Sequence, residues 1–225
     1  MKSVKKNTKI IATVGPASRS KEMLWELHKA GANIFRLNFS HGSHEDHKKV
    51  IQWVRELNEE HDVSICLLQD LQGPKIRTNM IENDAVEIVS GQILEIVADD
   101  FVGNAKRIST TYETIAQDVR PGDTILIDDG NLELKVKESD GKVVKTEVVY
   151  GGMLKSRKGI NLPDTPLSVP SLTPKDKEDL MFGIENDVDW IALSFVRQAS
   201  DIIELKELIK SKGKNIQVIS KIEKT

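Results

Sequence analysis

The apolar residues of this chain change their spacing twice, and this change limits the possible folds more than any other feature. Short apolar runs toward both ends are dense in branched side chains, as buried parallel strands are. These runs are residues 9–14, 33–39, 63–69, 188–195 and 215–222. Helical patterns lie between them, and the clearest puts Val50, Val54 and Leu57 on one face. The alternation predicts a parallel sheet whose strands are connected by helices.

Cap residues mark the ends of the expected helices. Ser43, with Asp46 three residues later, predicts a capped helix start. Thr173 with Asp176 predicts a second one, and Gly31 is placed where a helix should stop.

The alternation is interrupted over residues 72–163. Alternating apolar runs separated by glycine and aspartate turns replace the helices there, apart from a short helical pattern near Thr114. We therefore expect an α/β fold: a partial (β/α)₈ barrel with about five of its eight strands, carrying an inserted small antiparallel β-barrel lid domain. The expected domains are residues 1–72 (barrel, first part), 73–163 (inserted lid) and 164–225 (barrel, second part, truncated).

Charge and cysteine content exclude several classes of partner. The 225 residues include 35 acidic and 32 basic side chains, for a net charge of −3. No basic excess is available for a polyanion, so we expect no nucleic acid partner. We also expect no membrane partner, because no run of about 18 apolar residues occurs. Cys66 is the only cysteine, which points to a reducing, cytoplasmic location without disulfides.

Polar side chains follow the ends of four neighbouring predicted strands. They are Arg36, Asn38 and Ser40, then Asp70, then Ser194 and Arg197, and finally Lys221 and Glu223. Barrels of this kind carry their active sites at the carboxyl ends of the strands. Arginine binds phosphate with paired hydrogen bonds, and carboxylates bind Mg²⁺ or a monovalent cation. A lysine beside a metal ligand neutralises charge on a transferred phosphoryl group, so this set predicts phosphate and metal chemistry.

Other polar residues have a simpler explanation. His41, His44 and His47 are spaced by three, but they precede and open a helix, and we expect no zinc site there. Cys66 lies among apolar residues and is expected to be an inert core side chain. Each charge at the strand ends, taken singly, fits a solvated salt bridge about equally well.

Five segments together resemble the pyruvate kinase family. They are residues 9–18, 36–42, 70–77, 158–163 and 220–223, which read KIIATVGPAS, RLNFSHG, DLQGPKIR, KGINLP and SKIE. The resemblance covers the whole chain, in order and at the family's spacing, and corresponds to the family's N-terminal portion. It implies transfer of phosphate from phosphoenolpyruvate to ADP, the last step of glycolysis, with Mg²⁺ or Mn²⁺ as cofactor.

The resemblance also implies roles for individual residues. Arg36 matches the arginine that binds the substrate phosphate, and Lys221 the lysine that stabilises the transition state. Arg77 and Lys158 match nucleotide-binding positions, and Glu223 matches a Mg²⁺ ligand. The implied ligands of the monovalent cation, K⁺, are Asn38, Ser40, Asp70 and the backbone carbonyl of Leu71.

One segment departs from the family pattern. Where many members read Asp-Thr-Lys-Gly-Pro-Glu, this chain reads Asp-Leu-Gln-Gly-Pro-Lys over residues 70–75. Lys75 replaces a negative charge with a positive one, and its ammonium is expected to stand in for K⁺. The chain thus resembles the variant of the family that does not require potassium. The alternative is that Lys75 points to solvent and the ion still binds.

Two other functions fit parts of the pattern. A Mg²⁺-dependent lyase or aldolase acting on pyruvate enolate needs an arginine and paired acids, but the inserted β domain argues against it. A non-catalytic barrel fragment is the other alternative, because the family's later strands and C-terminal domain are expected to be missing. Five of eight strands leave two open edges, so we expect the isolated chain to be inactive and aggregation-prone. The family is usually a homotetramer, and the oligomer of this chain is left open.

Overall fold

The structure is a computed structural model that describes residues 7–222. Residues 7–74 and 171–222 form one compact unit, and residues 75–170 form another. The strands are β1 (Ile10–Thr13), β2 (Ala32–Asn38), β3 (Cys66–Asp70), β4 (Ala85–Ile88), β5 (Ile93–Val97), β6 (Arg107–Ser109), β7 (Thr124–Ile127), β8 (Leu132–Ser139), β9 (Val143–Tyr150), β10 (Gly152–Lys155), β11 (Ile160–Asn161), β12 (Trp190–Leu193) and β13 (Gln217–Ser220). The helices are α1 (Lys21–Ala30), α2 (His44–His61), α3 (Ile115–Asp118), α4 (Pro174–Glu185) and α5 (Ala199–Ser211). Single 3₁₀ turns lie at Pro16–Ser18 and Glu82–Asp84.

The first unit is built on one sheet of five parallel strands. The strand order is β1-β2-β3-β12-β13, so β3 pairs with β12 although the whole second unit separates them in sequence. Helices α1, α2, α4 and α5 belong to the same unit. This arrangement is the α/β partial barrel expected from the apolar spacing.

The predicted helix caps are confirmed. The Ser43 hydroxyl accepts from the Asp46 N–H, and the Asp46 carboxylate accepts from the Ser43 N–H, both at 3.2 Å. Thr173 and Asp176 make the same reciprocal pair at the start of α4. Gly31 ends α1 with φ of 121°, a conformation that side chains rarely adopt.

The core of the first unit lies between the sheet and the helices. Phe35 of β2, Leu67 of β3 and Ile191 of β12 are fully buried and pack with helix residues such as Leu24 and Leu205. Strands β1 and β13 are the outer strands of this sheet within the described residues.

None of the helices in the described part of the chain is long and apolar enough to cross a membrane.

Apart from the short α3 and the 3₁₀ turn at Glu82–Asp84, the regular elements of the second unit are strands. Six strands pair in the order β11-β7-β8-β9-β5-β6, and β10 pairs with β4. Strands β5 and β6 run parallel, so the antiparallel pairing expected for this domain does not extend to this edge of the sheet. The reason is that residues 98–106 return the chain to the starting end of β5 before β6 begins. Leu167 and Val169 pack against the core of this unit, which extends to Pro170.

Candidate functional site

The carboxyl ends of parallel strands meet at one edge of the first unit's sheet. Asn38 at the end of β2 lies opposite Asp70 at the end of β3, and Asp70 lies opposite Ala192 of β12. Lys221 follows β13 directly, and its backbone N–H donates to the Leu193 carbonyl at 3.0 Å. The strand register therefore brings side chains from widely separated parts of the sequence together.

Asp70 is the centre of this cluster, and its side chain is only 2% exposed. The Arg36 Nε donates to Asp70 Oδ2 at 2.7 Å, and its Nη2 lies 2.5 Å from the same oxygen. The Lys221 Nζ lies 3.2 Å from Oδ1 and 3.4 Å from Oδ2. One buried carboxylate thus holds two cationic side chains, each about 30% exposed. Such a pair of cations, ordered and still open to solvent, is suited to an anionic ligand.

Two hydroxyl groups also contact the two cations. The Arg36 Nη1 donates to Thr13 Oγ1 at 2.9 Å. The Lys221 Nζ donates to Ser194 Oγ at 2.7 Å, and Ser194 Oγ lies 2.7 Å from the Leu71 carbonyl oxygen. Ser194 was visible in the sequence as a strand-end residue, whereas nothing about Thr13 distinguished it from the other residues of β1.

The four predicted ligands of the monovalent cation lie along the ends of β2 and β3. Asp70 Oδ1 is buried and has no hydrogen-bond partner among the described residues, although it pairs ionically with Lys221. Asn38 Oδ1 accepts from the Ser40 backbone N–H at 3.1 Å. The Leu71 carbonyl accepts from one side chain, which leaves a second lone pair. Amide, carboxylate and carbonyl oxygens are the donors that such an ion takes, so these residues fit the group.

The predicted nucleotide-binding residues lie in the second unit. Arg77 and Lys158 are on neighbouring segments, since Arg77 bridges to Gly159 and the Thr78 N–H donates to the Lys158 carbonyl at 2.8 Å. The Lys158 Nζ lies 2.9 Å from Asp128 Oδ1. This hydrogen bond lowers the pKa of the Asp128 carboxyl. Asp128 was not among the residues predicted from the sequence.

Two further predicted residues, Lys75 and Glu223, lie outside the described part of the first unit. Lys75 is the first residue of the second unit and is partly buried. Glu223, the predicted Mg²⁺ ligand, lies outside the described residues. Within residues 7–222, no three histidine, cysteine, aspartate or glutamate side chains are grouped closely enough to hold a metal ion.

The three histidines that open α2 have structural contacts. The His47 Nε2 lies 3.0 Å from the His41 carbonyl, and its ring stacks on Phe39 at 4.2 Å between centroids. The His44 Nε2 lies 2.6 Å from Asp179, a buried carboxylate that also pairs with Lys175. Burial lowers the pKa of His47. Cys66 is half-buried, and its desolvation raises the pKa of its thiol.

The fold and the site together define a class: a partial (β/α) barrel with two cationic side chains paired to a buried carboxylate at the carboxyl ends of its strands. The family described as "Pyruvate kinase, barrel domain" matches residues 5–225. Relatives named pyruvate kinase from Staphylococcus aureus strains USA300 and NCTC 8325 / PS 47 are each 44% identical over 220 residues, covering 97% of this chain. The chain belongs to the pyruvate kinase family, which confirms the resemblance drawn from the five segments. It spans 38% of the length of these two relatives.

Proposed function

We propose that the protein transfers the phosphoryl group of phosphoenolpyruvate to ADP, giving pyruvate and ATP. The observation that supports this most is the convergence of the Arg36 guanidinium and the Lys221 ammonium on the buried Asp70 carboxylate. Phosphoenolpyruvate carries a phosphate and a carboxylate, so two cations already held in place reduce the cost of ordering the site around it. Membership of the pyruvate kinase family favours the same reaction.

In this reaction, Arg36 binds the substrate phosphate and Lys221 faces the phosphoryl group as it is transferred. The bond from phosphorus to the enol oxygen breaks, and a bond forms to a terminal phosphate oxygen of ADP. The enolate left behind takes up a proton and becomes pyruvate. The ammonium of Lys221 stabilises negative charge on the transferring group, which lowers the barrier. Mg²⁺, or Mn²⁺ in its place, would be held by Glu223 and would neutralise phosphate charge.

The second unit supplies the nucleotide contacts in this proposal. Lys158 and Arg77 are partly exposed cations on adjacent segments, a spacing suited to the phosphates of ADP. We propose, from the family resemblance, that this unit contains the expected lid (residues 73–163 in the sequence prediction), which would close over the nucleotide and exclude water. Asp128 holds the Lys158 ammonium before the nucleotide arrives.

Phosphoenolpyruvate binding is the first test of the site. We expect the 225-residue chain to bind phosphoenolpyruvate with Mg²⁺ in a calorimetric titration, and Arg36→Met to weaken binding about 10- to 100-fold. The matched control is Arg55→Met, because Arg55 lies on α2 and pairs with Asp189 instead. Equal affinity in the wild-type and Arg36→Met chains would contradict the proposed site.

Catalytic turnover is tested separately from binding, since the chain spans 38% of the length of its relatives. We expect the isolated chain to show none in an assay that couples pyruvate formation to lactate dehydrogenase. Turnover that disappears in Lys221→Met would overturn the expected inactivity and support the reaction.

Potassium dependence tests the replacement of the ion by Lys75. In the complete enzyme, the rate in a Tris buffer should equal the rate with K⁺ added, because the Lys75 ammonium supplies the positive charge. A large stimulation by K⁺ would show that the ion still binds at Asn38, Ser40, Asp70 and Leu71.

A further inference from the structure

Ser194 has a more constrained position than any other hydroxyl near the predicted catalytic lysine. Its side chain follows β12 directly and the residue is only 3% exposed. Its Oγ lies 2.7 Å from the Lys221 Nζ and 2.7 Å from the Leu71 carbonyl oxygen. A hydroxyl this buried has few alternative partners, so its two close contacts determine its orientation.

The chemistry of the three groups determines the direction of both hydrogen bonds. An ammonium group only donates, and a carbonyl oxygen only accepts. Ser194 has a single hydroxyl proton, which it must therefore give to the Leu71 carbonyl. Its oxygen is then left to accept from Lys221. The hydrogen bonds therefore run from the Lys221 ammonium to the Ser194 oxygen, and from the Ser194 hydroxyl to the Leu71 carbonyl.

The backbone around Ser194 holds this arrangement in place. The Lys221 N–H donates to the Leu193 carbonyl, and the Lys221 carbonyl accepts from the Val196 N–H at 3.1 Å. Gly73 leaves the necessary space, because a Cβ there would lie 3.1 Å from the Ser194 carbonyl oxygen. Gly73 also has φ of +68°, which a side chain would strain.

We propose that Ser194 is a positioning residue that orients the Lys221 ammonium. Asp70 attracts the ammonium from one side at 3.2 Å, and Ser194 fixes one of its protons at 2.7 Å. The orientation of the ammonium is thereby set before a substrate arrives, which is the preorganisation that charge stabilisation requires. The role of this orientation in phosphoryl transfer rests on the proposed function, whereas the orientation itself does not.

The direct test observes the lysine ammonium protons by ¹H–¹⁵N NMR at one fixed pH. The Lys221 signal is assigned with Lys221→Arg, and its exchange with water is compared in wild type, Ser194→Ala and Ser194→Thr. We expect Ser194→Ala to speed exchange about tenfold or more, the order expected for one lost charge-assisted hydrogen bond. Ser194→Thr keeps the hydroxyl and should retain slow exchange. Ser220→Ala, an exposed neighbour of Lys221 in sequence, is the matched control.

Each outcome decides the inference. A wild-type Lys221 signal that exchanges as fast as those of exposed lysines overturns it, whatever the variants do. Equal exchange in wild type and a folded Ser194→Ala chain overturns it as well. Phosphoenolpyruvate is then added with Mg²⁺: if the Lys221 signal depends on Ser194 but does not respond to this ligand, the proposed function fails and the positioning role stands.

Discussion

The two units bury different kinds of polar group. In the first unit they include four carboxylates, an imidazole and an amide: Asp70, Asp176, Asp179, Asp201, His47 and Gln69, beside the hydroxyls of Ser171 and Ser194. In the described residues of the second unit, every buried polar residue carries a hydroxyl group: Thr78, Ser109, Thr110, Thr146 and Thr165. These buried groups of the second unit are therefore neutral hydroxyls, whereas the first unit keeps charge in its interior.

The difference lies in how these groups are satisfied. Thr146 donates its hydroxyl proton to the Leu94 carbonyl on the adjacent β5. This hydrogen bond is between two neutral groups on paired strands. Asp70, in contrast, depends on Arg36 and Lys221, which are 34 and 151 residues away in sequence. Buried charge is costly unless it is paired, and both of the cations that pair with Asp70 come from distant parts of the chain. The comparison shows that the first unit depends on long-range ion pairs, whereas this second-unit hydroxyl depends on a neutral hydrogen bond to the neighbouring strand.

The largest effect should come from removing the central charge. Asp70→Asn leaves Arg36 and Lys221 facing one another without a counter-charge, and we expect a loss of about 2–4 kcal/mol of unfolding free energy. This is below the upper range for broken buried pairs because both cations reach solvent. Urea unfolding followed by tryptophan fluorescence measures it, since all three tryptophans, Trp25, Trp53 and Trp190, lie in the first unit. An unchanged urea midpoint in Asp70→Asn would mean that the Asp70 charge does not contribute to the free energy of unfolding.

A steric substitution should have the next largest effect. A Cβ at Gly183 in α4 would lie 2.0 Å from Gln69 Oε1, and the fully buried Gln69 amide already donates to the Asp179 carbonyl at 2.6 Å. We expect Gly183→Ala to cost about 1–2 kcal/mol, after the gain in helix propensity is subtracted. Gly159→Ala in the second unit is the control, because no atom lies within 4 Å of its Cβ position. Equal stability of the two variants would contradict the close packing around Gln69.

A smaller effect should appear as pH dependence of the first unit. Burial lowers the folded-state pKa of His47, so the folded form binds a proton less readily than the unfolded chain, whose value is about 6.5. The stabilisation is present above about pH 6.5 and is lost as pH falls from there toward the lowered folded pKa. Tryptophan-detected unfolding between pH 5 and 8 should show this slope, and His47→Gln should flatten it. If the stability of His47→Gln still changes with pH in this range, the pH dependence comes from another group.

The smallest effect is expected in the second unit. Lys158 and Asp128 form an ion pair with side chains that are 35% and 22% exposed. Asp128→Ala should therefore change the stability of the second unit by less than about 1 kcal/mol. Hydrogen exchange of peptides from β7 and β8, resolved by mass spectrometry, would detect the change. A loss as large as that of Asp70→Asn would remove the distinction between the two units.

Local sequence patterns predicted the first unit well because its signals are local. The caps at Ser43 and Thr173 are each completed within three residues, and a buried parallel strand shows as a continuous apolar run. Strands β6 and β11 have only three and two residues, which are too few to show an apolar period in the sequence. Their pairing is set by partners distant in sequence, which also explains the unexpected parallel pair at β5 and β6.

The meeting of Arg36, Asp70 and Lys221 could be predicted because parallel strands place their ends at one edge. The linking role of Ser194 could not, since it depends on distances of 2.7 Å to two atoms from other strand ends. Asp128 was equally invisible in the sequence, because a carboxylate in an Asp-Asp-Gly turn is usually only a turn residue.

Among the described residues, the cluster at Asp70 contains two positive charges and one negative charge, and this excess has a practical consequence. We expect small anions to compete with an anionic ligand for the donors of this cluster. Sulfate and phosphate buffers should therefore inhibit ligand binding more than chloride at equal ionic strength, because they match the paired donors of Arg36. The affinity measured for an anionic ligand at this site should therefore depend on the buffer anion.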